Sequence, residues 1–126
     1  GKAKAAVEAL KEVDIIYLHI EASDEAGHEG NAQLKTETIE YLDHRVVKYI
    51  VEETDKMEED VAIAILPDHP TPCALRTHTR DAVPFVIYKP GEMGDAVTHY
   101  DEESVKEGAF GILKGNEFMK AFLNLL

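Results

Sequence analysis

The chain has 126 residues, and its 25 acidic side chains outweigh 13 basic ones to give a formal charge of −12 with histidine neutral. That balance excludes a nucleic-acid binder, which needs a basic stripe to neutralise phosphates, and equally a protein held on anionic lipid. An apolar fraction of 44% is that of a folding chain rather than a disordered one. No apolar run reaches the roughly 20 residues of a membrane span, and the single cysteine, Cys73, excludes an internal disulfide.

In chain order, Gly1 to Ala6 show no apolar core of a secretory signal. Ala3, Ala6, Val7, Leu10 and Val13 recur at helical spacing and predict a helix that starts without a capping residue. Such a start is expected of a chain that begins inside a longer protein. Asp14 to Glu21 (DIIYLHIE) carries apolar side chains on both faces and predicts a strand buried in a parallel sheet. Ala22 to Asn31, with two glycines and small polar residues, reads as a loop. A long helix is predicted over Ala32 to Lys56, with Leu34, Ile39, Leu42, Val46, Tyr49 and Ile50 forming its apolar stripe.

A second buried-type strand, Val61 to Leu66, ends in PDHPTP, where the prolines forbid regular structure. A third strand spans Val83 to Lys89, a short helix follows Asp101, and a last helix covers Asn116 to Leu125. Strands interleaved with helices predict an α/β domain with a largely parallel sheet flanked by helices. Ligands in such sheets bind beyond the carboxyl ends of the strands. The loops after Glu21 and after Leu66 are therefore the places to look for chemistry.

Both loops carry aspartate and histidine. Asp24 and His28 stand four apart, so a single helical turn brings both side chains to one face, and Gly27 removes bulk beside them. Asp68 and His69 are adjacent between Pro67 and Pro70, and His78 follows nine residues after His69. Carboxylate oxygen with neutral imidazole is a donor set for Zn²⁺ or Mn²⁺. Two such clusters suit a two-metal site that clamps the attacking and leaving oxygens of phosphoryl transfer. Each motif alone has an ordinary alternative: an isolated Asp-x-x-x-His spacing is commonplace, and Asp68-His69 suits an Asx-type turn.

EASDEAGHEG (Glu21 to Gly30) and LPDHPTPCALRTHT (Leu66 to Thr79) resemble the metal-binding motifs of the cofactor-independent phosphoglycerate mutases. The likeness is to the archaeal-type branch, within the alkaline phosphatase superfamily, and VPFVIY after the second motif fits the same pattern. The resemblance implies an alkaline-phosphatase-like metal-binding domain of a cytoplasmic glycolytic isomerase. It also implies two divalent metal ions, manganese first, with zinc, cobalt or magnesium as alternatives. Matched residue by residue, Asp24, His28 and His78 correspond to ligands of one metal, and Asp68 and His69 to two ligands of the other. The family passes a phosphoryl group from 3-phosphoglycerate to a serine and back to the 2-hydroxyl of glycerate. Arg76, close to His78, is a candidate contact for substrate phosphate or carboxylate.

The sequence lacks the early aspartate and the nucleophilic serine that complete the family's second metal, and Ser23 stands where proline is expected in close relatives. Its only serines are Ser23 and Ser104, and neither stands where the nucleophile belongs. Residues 1–126 are thus expected to form the C-terminal metal-binding portion of a longer mutase, with nucleophile and further arginines upstream, inactive alone. The alternatives are another phosphomutase, phosphatase or homoserine-kinase-like relative of the superfamily, or a metal-binding module without catalysis. Among the remaining polar residues, His19 reads as a core or near-site histidine with a satisfied hydrogen bond, and His44 as an i,i+4 partner of Glu40. His99 has no nameable partner, and Cys73 reads as a small packed residue. Thr71 and Thr79 are either hydrogen-bond donors supporting the metal ligands or surface turn residues.

Overall fold

The computed structural model describes residues 1–125. In chain order its elements are α1 Lys2–Ala9, α2 Ala22–His28, α3 Ala32–Leu42, a π-helical turn Asp43–Val47, α4 Lys48–Asp55, β1 Ile63–Ile65, β2 Val86–Tyr88, a 3-10 turn Ser104–Glu107 and α5 Glu117–Phe122. They fall into two units: Gly1–Glu59 with Thr71–Thr79, and Asp60–Pro70 with Arg80 onward. No helix among the described residues is long and apolar enough to cross a membrane.

In the first unit, alanine-rich α1 buries Ala3 and Val7, which lie one turn apart, and packs against α4. Thr54 is buried on α4 because its hydroxyl donates back to the Ile50 carbonyl at 2.7 Å, which satisfies the polar atom locally. The segment expected to be a loop after Glu21 is instead helix α2, packed on α3. Asp24 and Glu25 sit in its first turn and His28 in its last, each favoured there by the helix dipole. The helix stops at Gly30, whose φ of +70° is open to glycine at little cost. The Asn31 amide donates to Ala26 and the Gly30 amide to Gly27, the paired bonds of a Schellman termination. Asn31 then caps α3, its side-chain oxygen accepting from the Leu34 amide at 2.9 Å.

Further expectations change in this unit. Residues 15–21 carry no regular structure, and Ile15 and Tyr17 are 52% and 83% exposed rather than buried. A strand exists only through a ladder partner, and this apolar run has none among the described residues. The long helix is interrupted by the π-helical turn at Asp43–Val47, which holds His44, and no ion pair between His44 and Glu40 forms among the described residues. The predicted stripe is exposed at Leu34 and Ile39 and partly buried only from Leu42 onward.

In the second unit, β1 and β2 lie within the predicted strands but pair antiparallel, Ile63 opposite Tyr88 and Ile65 opposite Val86. The expected parallel sheet is therefore not what these strands form. Parallel neighbours need a crossover, usually a helix, and residues 66–85 contain none. Phe85 packs edge-on to Phe118 at 5.2 Å and beside Phe110 at 5.9 Å. The Tyr100 hydroxyl donates to the carbonyls of Pro84 at 3.0 Å and Ile65 at 3.3 Å. Burial, with the Glu102 charge, pushes this phenol up to about 12. Asp95 and Asp101 organise the following loop by accepting backbone amides, from Val97 and Ala109 and from Ser104 and Glu103 respectively. Those bonds hold both carboxyls below their ordinary 3.8.

Candidate metal centre

Helix α2 brings Asp24 and His28 to one face, as their spacing predicts, with Asp24 Oδ2 3.4 Å from His28 Nε2. The third member arrives from the turn-rich segment Thr71–Thr79 of the same unit. His78 Nε2 stands 3.3 Å from Asp24 Oδ1 and 3.0 Å from His28 Nε2. The two imidazoles are 4.9 Å apart, tilted by 52°. All three side chains are a third to a half exposed, which leaves the cluster open to an entering ion.

His28 is fixed from behind. Its Nδ1 lies 3.0 Å from the Arg76 carbonyl, which only accepts, so Nδ1 carries the proton. In the neutral ring, Nε2 is then left with a lone pair facing Asp24 and His78. Arg76 adopts φ +54°, uncommon for a residue with a Cβ, at the point where its carbonyl meets His28. Its guanidinium lies over Gly30, where a Cβ would fall on Nε.

Asp24 is fixed as well. Thr71, only 4% exposed, donates its hydroxyl to Asp24 Oδ1 at 2.6 Å. Lys35 donates to the Thr71 carbonyl at 2.8 Å. Gly27 lets that strand of chain lie directly on α2, since a Cβ there would meet the Thr71 oxygen at 2.5 Å.

In the second unit, Asp68 and His69 follow β1 between Pro67 and Pro70 with Oδ2 and Nε2 3.6 Å apart; His69 is the less exposed of the two. Elsewhere, His19 stacks beside Tyr17 and lies 3.8 Å from Glu21, an exposed arrangement rather than a core one. Cys73 is half-buried, and His99 meets the Thr98 hydroxyl at 3.1 Å.

Residues 1–125 match the metalloenzyme superfamily. The chain belongs to the metalloenzyme superfamily. Over 120 residues this metalloenzyme chain is 47% identical to the 2,3-bisphosphoglycerate-independent phosphoglycerate mutase of Methanosarcina acetivorans, covering 94% of this chain and 30% of that protein. Over 126 residues it is 39% identical to the enzyme of the same name from Pyrococcus furiosus, covering all of this chain and 30% of the relative. A solved structure of the PH0037 protein from Pyrococcus horikoshii superposes with a TM-score of 0.89 at 38% identity, covering 98% of this chain and 37% of that one. The chain thus spans about 30% of the length of the curated relatives it matches.

For a metalloenzyme, the donor spacing is informative. Metal–ligand bonds of about 2.0–2.2 Å place the donors of a tetrahedron about 3.4 Å apart and adjacent donors of an octahedron about 3.0 Å apart. The two imidazole nitrogens stand 3.0 Å apart, the spacing of adjacent ligands, and the Asp24 carboxylate sets one oxygen beside each, Oδ2 at 3.4 Å from His28 and Oδ1 at 3.3 Å from His78. One carboxylate and two neutral imidazoles suit Zn²⁺, Mn²⁺ and their neighbours. Sequence reasoning missed the supporting groups: the Lys35 ammonium, the Arg76 carbonyl, and the reason Gly27 must lack a side chain. The glycine beside a candidate ligand was a usable signal. A backbone carbonyl and a lysine 36 residues from its acceptor left none.

Proposed function

We propose that the protein carrying this chain is a metal-dependent phosphoglycerate mutase that interconverts 3-phosphoglycerate and 2-phosphoglycerate. In this reading Asp24, His28 and His78 hold one divalent cation, and Asp68 and His69 contribute to holding a second, manganese being the expected metal. The observation that carries the reading is the convergence of one carboxylate and two imidazoles, the two Nε2 atoms 3.0 Å apart and each within 3.4 Å of an Asp24 oxygen. Sequence likeness to proteins named as mutases adds the substrate class.

The chain's own residues set the conditions. With Nδ1 of His28 donating to the Arg76 carbonyl, the neutral ring presents its lone pair at Nε2. The carboxylate of Asp24 supplies the one negative charge of the trio, which favours a dication over a monovalent ion. Cations held there supply Lewis acidity, lowering the pKa of a hydroxyl nucleophile and offsetting charge on the transferring phosphoryl group. The Arg76 guanidinium, two residues from His78, is proposed to meet substrate phosphate or carboxylate. The nucleophile is proposed to be a serine outside these residues. Ser104 is engaged with Asp101, its hydroxyl donating at 2.8 Å, and Ser23 lies in the first turn of α2.

Phosphorus NMR of 3-phosphoglycerate incubated with the protein that carries this chain tests the reading. Formation of 2-phosphoglycerate, abolished by EDTA and restored by Mn²⁺, is the expected result. Release of inorganic phosphate instead would place the protein among phosphatases, and turnover indifferent to chelation would contradict the metal assignment.

A further inference from the structure

We infer that Thr71 is a positioning residue for the metal-ligating carboxylate, and that Lys35 and Gly27 exist in their places to hold it there. The inference rests on the reading of Asp24, His28 and His78 as metal ligands. A carboxylate on a helix surface rotates about its last bond, and in most rotations only one oxygen points at a given neighbour. Here the Thr71 hydroxyl takes Oδ1 at 2.6 Å, a short bond of the charge-assisted kind. That fixes the plane of the group and directs Oδ2 to His28 Nε2. The hydroxyl's rotor is itself fixed by where Thr71 sits. Its backbone carbonyl accepts from the Lys35 ammonium, reaching across from α3, and lies so close to Gly27 that no Cβ fits between.

Thr71 is 4% exposed, so the hydroxyl is shielded from competing water. A merely structural threonine in a turn needs none of this. Its hydroxyl would be as well served by solvent, and a lysine would gain nothing by leaving water for its carbonyl. Removing a partner that orients a metal ligand costs 10–100-fold in metal affinity where it has been tested.

Mn²⁺ titration followed by EPR, run in parallel with thermal unfolding of the metal-free protein, separates the roles. Thr71→Val keeps the shape and loses the hydroxyl, and is expected to weaken Mn²⁺ binding about 10-fold. Thr71→Ser restores the hydroxyl and is expected to stay within about twofold of wild type. Unchanged affinity in Thr71→Val, whatever its unfolding temperature, overturns the inference while leaving the ligand assignment standing. Absence of saturable Mn²⁺ binding in the wild type overturns the ligand assignment, and the inference falls with it. Should Thr71→Val fail to fold, Lys35→Met decides by the same readout: a loss of about threefold, below that of a direct partner, supports the inference, and unchanged affinity overturns it.

Discussion

Replacing Asp24 by asparagine is expected to lower Mn²⁺ affinity by about 100-fold or more while leaving the fold in place. The substitution is nearly isosteric. The Thr71 hydroxyl still finds an oxygen to donate to, so the contact that seats Thr71–Thr79 on α2 survives. What disappears is the negative charge and one acceptor. The side-chain NH₂ that takes the place of Oδ2 has no lone pair for a cation and faces His28 Nε2, 3.4 Å away in the parent. Two neutral imidazoles alone hold a hard cation such as Mn²⁺ poorly, since carboxylate oxygen is the ligand it favours. Calorimetric titration of Mn²⁺ with both proteins checks this, together with their melting temperatures. An asparagine variant that binds as tightly as wild type would show that the cation sits elsewhere.

Gly27→Ala is the second large effect, and its origin is steric rather than electrostatic. The added Cβ meets the Thr71 carbonyl oxygen at 2.5 Å and its Cγ2 at 3.0 Å. The first is backbone, so relief requires the 71–79 segment to lift from the helix. Overpacking of this kind costs about 1–3 kcal/mol, and the lift withdraws the Thr71 hydroxyl from Asp24 and His78 from both partners. Stability and metal affinity should therefore fall together. Gly30→Ala is the instructive contrast: its Cβ would meet only the far end of the Arg76 side chain, which swings away. The remaining cost is that of placing alanine at φ +70°, about 1 kcal/mol, with the metal ligands left in register. Urea unfolding of both variants, paired with Mn²⁺ titration, distinguishes them; equal losses of metal affinity would contradict the account.

These contrasts show which parts of the molecule were legible in the sequence. Asp24 and His28 were, because their relation is local: four residues apart on a helix means one face. The helix itself is not legible, since glycines and small polar residues between Ala22 and Asn31 suit a loop equally well. Yet Gly30-Asn31 is a stop followed by a cap, and the two residues terminate α2 and start α3 in succession. His78 was nameable as a candidate but not placeable. Its approach to His28 depends on the course of Thr71–Thr79 over α2, set by contacts at Gly27, Lys35 and Arg76 that lie 36 to 48 residues from their partners. The strands at 61–66 and 83–89 were visible from β-branched runs, while their direction was not. Direction follows from the connection, and residues 66–85 return without the helix that a parallel pair would require. The apolar run 15–20 shows the same limit from the other side, because hydrophobic pattern proposes a strand and only a partner makes one.

The central claim is that Asp24, His28 and His78 hold a divalent cation, and anomalous diffraction from crystals grown in MnCl₂ tests it most directly. A manganese peak is expected about 2.0–2.2 Å from the Asp24 carboxylate and from Nε2 of both His28 and His78, with His28 Nδ1 still donating to the Arg76 carbonyl. Clear density for all three side chains with no manganese among them, or with manganese bound through His28 Nδ1, would contradict it.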